Sequence, residues 1–329
     1  MTMIVFLAKK IGQMVPVLLG ITVISFFVIH LAPGRPSDAL TELNPKVSLE
    51  VRERLEKIYG LDKPLGQQFR DWSVRMVRLD FGSSFTDGRP VLAKILQTLP
   101  VTLLINLASL ALILGIGIPL GALCAVKKGT WIDRSVSTTL FLFFAIPTFW
   151  LALLLMDWVG VKLGALPVFG IKSIDHAYLG GPEKVLDVAR HLVLPVTVSA
   201  VAGLAGISRY VHQNMVQTLQ QPFILACRSR ALPEHLVIYR HALRNALLPV
   251  ITIVGLSLPG LISGSVIFES IFAIPGTGRL FFASVMARDY PVIMALLVLG
   301  AVLTLLGNFL ADVGYALADP RIRYPKNAA

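Results

Sequence analysis

The stretch ILQTLPVTLLINLASLALILGIGIPLGALCAV, residues 95–126, runs without a single lysine, arginine, aspartate or glutamate. A helix of ~20 apolar residues crosses the hydrocarbon core of a bilayer, so this stretch is long enough to do so with residues to spare. Five more windows are equally free of charge: 11–34, 135–156, 191–208, 245–268 and 290–311. The window 191–208 is the shortest, and its helix is expected to continue past Arg209. The pattern predicts an all-α polytopic membrane protein with six transmembrane helices. A soluble protein with a buried helical core is excluded, because six such windows would leave no surface helices.

Composition agrees. The 329 residues are 55% hydrophobic and only 15% charged, with a mean hydropathy of +0.73; a soluble domain is ~25% charged. The first window is too long for the apolar region of a cleaved signal and no small-residue cleavage site follows it. It is expected to stay as the first span, after Lys9 and Lys10. Cys124 and Cys227 have no metal-ligand spacing, so no metal site is expected and they are read as small packing residues.

Six spans place both termini on one side. Lys9 and Lys10, then Lys127, Lys128 and Arg134, then Arg228, Arg230, Arg240 and Arg244, and finally Arg321, Arg323 and Lys326 all fall on that side. Basic residues in short segments mark the cytoplasmic face, so both termini are expected in the cytoplasm. The segment 32–97 is external in this scheme. It carries 11 basic against 9 acidic residues, but segments beyond ~60 residues translocate regardless of charge. The net charge of +11 therefore reflects topology, and no nucleic-acid partner is expected.

The chain divides into a first span with its N-terminal end (1–31), an external subdomain (32–97) and a core of five spans (98–329). In the subdomain, SLEVRERLEKIYGL (48–61) has helical spacing and ends at Gly60. The following DKPLGQQFRDWSVRMVRLDFG (62–82) predicts an amphipathic helix with Phe69, Trp72, Met76 and Leu79 on its apolar face. Prolines 16, 119, 147, 195 and 259 fall inside the windows. The run GLSLPGLISGS (255–265) is the densest in helix breakers, with Ser257, Ser263 and Ser265 among them. It is read either as lining a pathway or as close helix packing alone.

Catalytic chemistry is missing from the sequence. There is no GxxxxGK[ST] phosphate loop, no HExxH and no Ser/His/Asp grouping among the six dispersed histidines, so the chain is not expected to be an enzyme. Ionisable residues avoid the middle of the spans: His30, Asp157, Glu269 and Asp312 all fall near span ends. Carriers that move protons need such groups inside the membrane, which argues against a stand-alone secondary transporter.

One cytoplasmic segment is out of proportion. FILACRSRALPEHLVIYRHALRNALLP, residues 223–249, is long and basic where a short turn would do. Residues 221–232 predict a short amphipathic helix with an apolar patch of Phe223, Ile224, Ala226 and Cys227. After Pro233 and Glu234 a second helix is expected, with Leu236, Tyr239/Arg240, Leu243 and Leu247 recurring at spacings of three to four and Arg240 and Arg244 four apart on one face. Two readings stay open from spacing alone: a basic helix lying on membrane lipid, or a docking element for a cytoplasmic protein.

This segment resembles the cytoplasmic coupling loop, or EAA motif, of ABC importer permeases, and in particular the dipeptide/oligopeptide/nickel branch. There the loop reads like Y-[IV]-R-T-A-R-A-K-G-L and then H-A-L-R-N-A-[LM]-[LI]-P; here it reads FILACRSRAL (223–232) and HALRNALLP (241–249). The phrases LAPGRPSD, YGLDKPLGQQF, DFGSSF, AIPTFW, LPVFG, FAIPGTGRLF, ARDYPV and DPRIRY resemble that branch in order, and the long first external segment fits its first-permease type. Three positions depart from the pattern. Ala231 stands where the loop has glycine, Leu225, Ala226 and Cys227 lack its glutamate, and Arg35 replaces the aspartate of PGDP.

The resemblance implies a type I ABC importer permease subunit in a bacterial or archaeal plasma membrane. Its partners would be a second, similar permease, two cytoplasmic ATPases that hold the ATP and magnesium, and an extracytoplasmic substrate-binding protein; this chain would carry no cofactor. Phe223, Ile224, Ala226 and Cys227 would form the docking face, Arg228, Arg230 and Ala231 would shape it, and Arg240, His241 and Arg244 would anchor the return helix, all within 221–247. Peptides are the expected substrate, with nickel, a metal chelate or another small solute as the alternative. A channel working alone is the alternative of a different class.

Overall fold

The computed structural model describes residues 3–31, 57, 60–262 and 264–318. Most of the helix expected over 48–61, Arg35, Ser263 and the basic tail with Arg321, Arg323 and Lys326 lie outside them. Helices dominate: α1 (Met3–Leu31), α2 (Leu65–Val77), α3 (Val91–Val126), α4 (Trp131–Ala145), α5 (Thr148–Leu155), α6 (Gly181–Leu219), α7 (Pro222–Ser229), α8 (Arg244–Ala246), α9 (Leu248–Ser257), α10 (Val266–Ile271), α11 (Thr277–Met286) and α12 (Tyr290–Ala318). Among the described residues no strand forms beyond an isolated bridge between Ser83 and Pro90.

Among the described residues, four continuous helices have the length and hydropathy to cross a membrane: Lys10–Leu31, Val91–Val126, Gly181–Leu219 and Tyr290–Leu310. Two further windows are broken, and counting each bent pair as one span brings the number to as many as six. The window 135–156 is α4 and α5, which meet at 96°. Its break is local chemistry. Pro147 disfavours the helical conformation at the residue before it, and Ile146 is accordingly extended at φ −77°, ψ 125°. Pro16 and Pro195, by contrast, sit inside α1 and α6. The window 245–268 is α9, a 3-10 turn over Leu258–Leu261, and an irregular stretch before α10.

The chain forms two compact units, one of 1–101, 262–266 and 276–329 and one of 102–261 and 267–275. In the first, α1 packs along α12. Phe26 is its aromatic hub, with ring centroids 5.1 Å from Phe69 and 5.6 Å from Trp72. His30 stacks on Phe26 and its Nδ1 lies 2.8 Å from the Phe26 carbonyl, while Lys10 meets Asp312 at 2.7 Å. His30, Lys10 and Asp312 thus all have partners within this unit. Phe69, Trp72 and Met76 face the core as the spacing predicted. Leu79 does not: α2 ends first, and Leu79 is exposed in a left-handed conformation at φ 58°.

Buried Asp289 organises the start of α12. It accepts the Phe85 N–H at 3.0 Å, the Thr86 hydroxyl at 3.1 Å and the Ser84 hydroxyl. Lys94 Nζ reaches Ser84 at 2.9 Å and Asp87 at 3.0 Å, and stands 3.9 Å from Asp289. The phrases DFGSSF and ARDYPV are thus two halves of one clasp.

In the second unit α3 and α6 approach backbone to backbone. A Cβ on Gly121 would lie 2.8 Å from Val211 Cβ and closer still to the Ser208 carbonyl, and one on Gly117 would crowd Ile207 at 3.3 Å. Small residues four apart allow this approach in membranes. Thr102 and Asn106, also on α3, serve the broken span: Asn106 Nδ2 donates to the Leu261 carbonyl at 2.7 Å and Thr102 Oγ1 to buried Glu269 at 3.1 Å. The donation to Leu261 satisfies a carbonyl that the interrupted helix leaves free, as irregular backbone at membrane depth requires.

Candidate functional site: the coupling segment

The long basic segment folds as two short helices joined by a tight turn. Pro222 occupies the first turn of α7, where its missing N–H costs nothing, and α7 closes at Ser229 rather than at 232. The closure is a Schellman motif. The N–H of Leu232 reaches the Cys227 carbonyl at 3.3 Å and that of Ala231 reaches the Arg228 carbonyl at 2.9 Å. Ala231 takes the left-handed conformation at φ 54°, so a turn that favours glycine is made here by a residue with a methyl group.

Across that turn Arg228 and Glu234 form a two-pronged ion pair, Nη2 to Oε1 at 2.6 Å and Nε to Oε2 at 3.3 Å. The hydrogen bond from Arg228 holds the Glu234 carboxyl below the ordinary glutamate range. Glu234 therefore stays ionised through the physiological range.

The second helix is a π-helix over Leu236–Leu243 that runs on into α8. Its wider winding moves the buried face. Val237 and Ala242, five residues apart, are fully buried, followed by Ala246 and Val250 at intervals of four. The expected stripe of Leu236, Leu243 and Leu247 is only half-buried, because α-helical spacing does not describe a π turn.

The apolar patch expected at Phe223, Ile224, Ala226 and Cys227 divides between two faces. Ile224 is fully buried and Cys227 packs beside it, in one core with Val211 and Met215 of α6, Ala122 and Ala125 of α3, and Val237, Ala242 and Ala246. Ile224 therefore cannot meet a partner: it nails α7 to the rest of the chain. Phe223 (41% exposed), Ala226, Arg228, Arg230, Ala231, Arg240 and Arg244 face outward, and His241 is half-buried. Leu225 (60%) and Tyr239 (65%) are also exposed. Leu225 is not among the expected docking residues, although a neighbour of buried Ile224 is turned about 100° from it; Tyr239, expected in the row with Leu236 and Leu243, is turned outward instead.

Of the three serines in the second broken span, Ser257 donates to the Val254 carbonyl of its own helix at 2.8 Å and Ser265 is exposed. Ser263 lies outside the described residues.

Apolar membrane-length helices, two of the windows broken, together with an exposed helical pair seated on their core, define a polytopic helical membrane protein. Residues 117–324 match the family described as the binding-protein-dependent transport system inner membrane component, and residues 3–106 match that family's N-terminal region. The chain belongs to this family of inner-membrane transport permeases.

Its relatives include the oligopeptide transport system permease protein AppB of Bacillus subtilis, 42% identical over 98% of this chain and 100% of that one. The di/tripeptide transport system permease protein DppB of Pseudomonas aeruginosa is 34% identical over 98% of this chain and 100% of its own length. Among solved structures, a chain of the MetNI methionine ABC transporter in inward-facing conformations shares the fold with a TM-score of 0.53. It is 19% identical and is matched over 69% of this chain and 97% of that one.

Proposed function

We propose that this chain is half of the membrane pathway of a peptide importer and that residues 221–247 couple it to a cytoplasmic ATPase. The observation that carries the reading is the two-sidedness of α7. Its inner side, Ile224, is nailed into the core of α3 and α6, while Phe223, Leu225, Ala226, Arg228 and Arg230 are left outward. A force applied to the outward face reaches the spans through packed side chains rather than through a loose loop. A helix that only rested on lipid would need no such anchor.

In this reading a second permease completes the pathway, two ATPases bind the nucleotide and magnesium, and a binding protein delivers peptide on the outside. Both termini lie in the cytoplasm, and the chain itself catalyses nothing. Ser257, Ser263 and Ser265 belong to the stretch proposed to border the pathway, and Arg240, His241 and Arg244 to the return. Peptide is preferred as cargo because relatives matched over their whole lengths are named for oligopeptides and di/tripeptides.

The test is reconstitution with the candidate partners in liposomes. Peptide uptake that requires ATP and the binding protein is expected. Phe223→Glu and Ala226→Trp should lose ATPase retention while membrane insertion is unchanged. Retention and uptake at the wild-type level in both variants would remove the docking face from α7, and ATP-independent flux through the chain alone would overturn the importer.

A further inference from the structure

At the end of α6 nearest the coupling segment, three neighbours hold the helix, and they hold it differently. Against α3 the approach is so tight that Gly121 leaves no room for a side chain beside Ser208 and Val211. Against the coupling segment, Val211 and Met215 share a closed apolar core with Ile224, Val237 and Ala242. Against the start of α4 the facing groups are polar, Asp133 and His212, and they do not quite meet.

Asp133 is 9% exposed. Its carboxylate takes the Gly129 N–H at 2.9 Å and faces the Ser137 hydroxyl at 3.3 Å, both from its own turn. His212 Nε2 stands 3.9 Å from Asp133 Oδ1, about an ångström beyond hydrogen-bonding distance. That nitrogen is itself buried and has no hydrogen-bond partner among the described residues. Buried polar groups are nearly always satisfied, and an exception calls for a reason.

We propose that Asp133 and His212 form a make-and-break contact of the transport cycle. It is open in the conformation described here and closed by a hydrogen bond when α6 slides along α4 by about an ångström. The proposal rests on the coupling role assigned above. A push received by α7 passes into α6 through the shared apolar core, and α3 is locked to α6 through its glycines. The unmet donor and acceptor sit at the interface of α6 with α4. Packed interfaces switch between discrete arrangements rather than stretching, so one arrangement leaves the pair apart and the other joins it. The two side chains are positioning residues that bias the balance between the arrangements.

The test is a double-mutant cycle on the assembled importer, with the wild type, Asp133→Ala, His212→Phe and the double variant. Thermal midpoints are read without nucleotide and after trapping with ATP and vanadate. The two shifts are expected to add in one state and to depart from additivity by roughly 2–4 °C in the other. His212→Gln, which returns an amide donor near the position of Nε2, should recover part of that state-dependent term. If Asp133→Ala does not assemble, Asp133→Asn keeps an acceptor for Gly129 and serves the same cycle. Equal departures in both states, or none in either, would make the pair a static contact and overturn the proposal. A wild-type complex that imports no peptide would instead sink the functional reading.

Discussion

Ala231 is the position where this loop departs most plainly from those it resembles, and its conformation makes the consequence calculable. At φ 54° an L-residue carries a steric penalty of about 1–2 kcal/mol. Glycine escapes the penalty but loses more freedom on folding, a term of about 0.4–1 kcal/mol. Ala231 is exposed, so removing its methyl group forfeits little burial. Ala231→Gly should therefore stabilise the closed turn by about 0.5–1 kcal/mol net, a factor of roughly two to five in its opening equilibrium. Hydrogen–deuterium exchange of the amides held by the turn, Ala231 and Leu232, reads that opening directly. Exchange at Leu232 should slow by this factor in the glycine variant and quicken in Ala231→Val, whose branched side chain tolerates positive φ less well. Faster exchange in Ala231→Gly than in the wild type would refute the strain assigned to this residue.

Three further outcomes follow from the geometry. Gly121→Ala should lower the thermal stability of the purified chain by about 1–3 kcal/mol through overpacking, whereas Gly115→Ala, which meets nothing within 4 Å, should be neutral in the same melt. Asp289→Ala leaves the donors of Ser84, Phe85 and Thr86 without their acceptor and should cost about 1.5–3 kcal/mol, seen as a lower melting midpoint and as earlier proteolysis at 82–90. The Arg228–Glu234 pair sets a pH window. Because the folded carboxyl is depressed, its contribution is complete above the ordinary glutamate value of about 4.3 and fades only as pH falls through the lower folded value. Protection of 228–236, corrected for intrinsic exchange, should be flat from pH 8 to 5 in the wild type. Glu234→Gln should lower that protection equally across the range, and a wild-type decline beginning near pH 6 would contradict the pairing.

Much of the architecture is legible in the order of residues alone. A window without charge, such as 95–126, leaves a helix in lipid as its stable form, since a bilayer offers the backbone no other partner. The amphipathic face of Phe69, Trp72 and Met76 and the helical pair after Gln221 follow from spacing and from Pro222 and Pro233. Identity is legible too, in phrases such as HALRNALLP, and the matches along the chain agree with it.

The failures share a cause. Pro16, Pro147 and Pro195 look alike in sequence, yet only Pro147 stands at a 96° bend. Ile224 and Phe223 are both apolar neighbours on α7, and only one is buried. Ala231 keeps a conformation that its side chain resists, because the hydrogen bonds of the turn and the ion pair across it hold it there. The stripe of Leu236, Leu243 and Leu247 was set by α-helical spacing, and the π winding replaced it with Val237 and Ala242.

By itself, then, the sequence determined that the chain is helical, lives in a membrane and carries a basic two-helix segment between membrane-length helices. These properties depend on composition and on contacts a few residues apart, which are written along the chain. Only the tertiary structure decided which side of α7 is anchored and which is free. It alone joined DFGSSF to ARDYPV through Asp289, and it alone set His212 and Asp133 an ångström short of contact. Such relations join residues far apart in the sequence, and their energies depend on distance and burial, which exist only once the helices are packed.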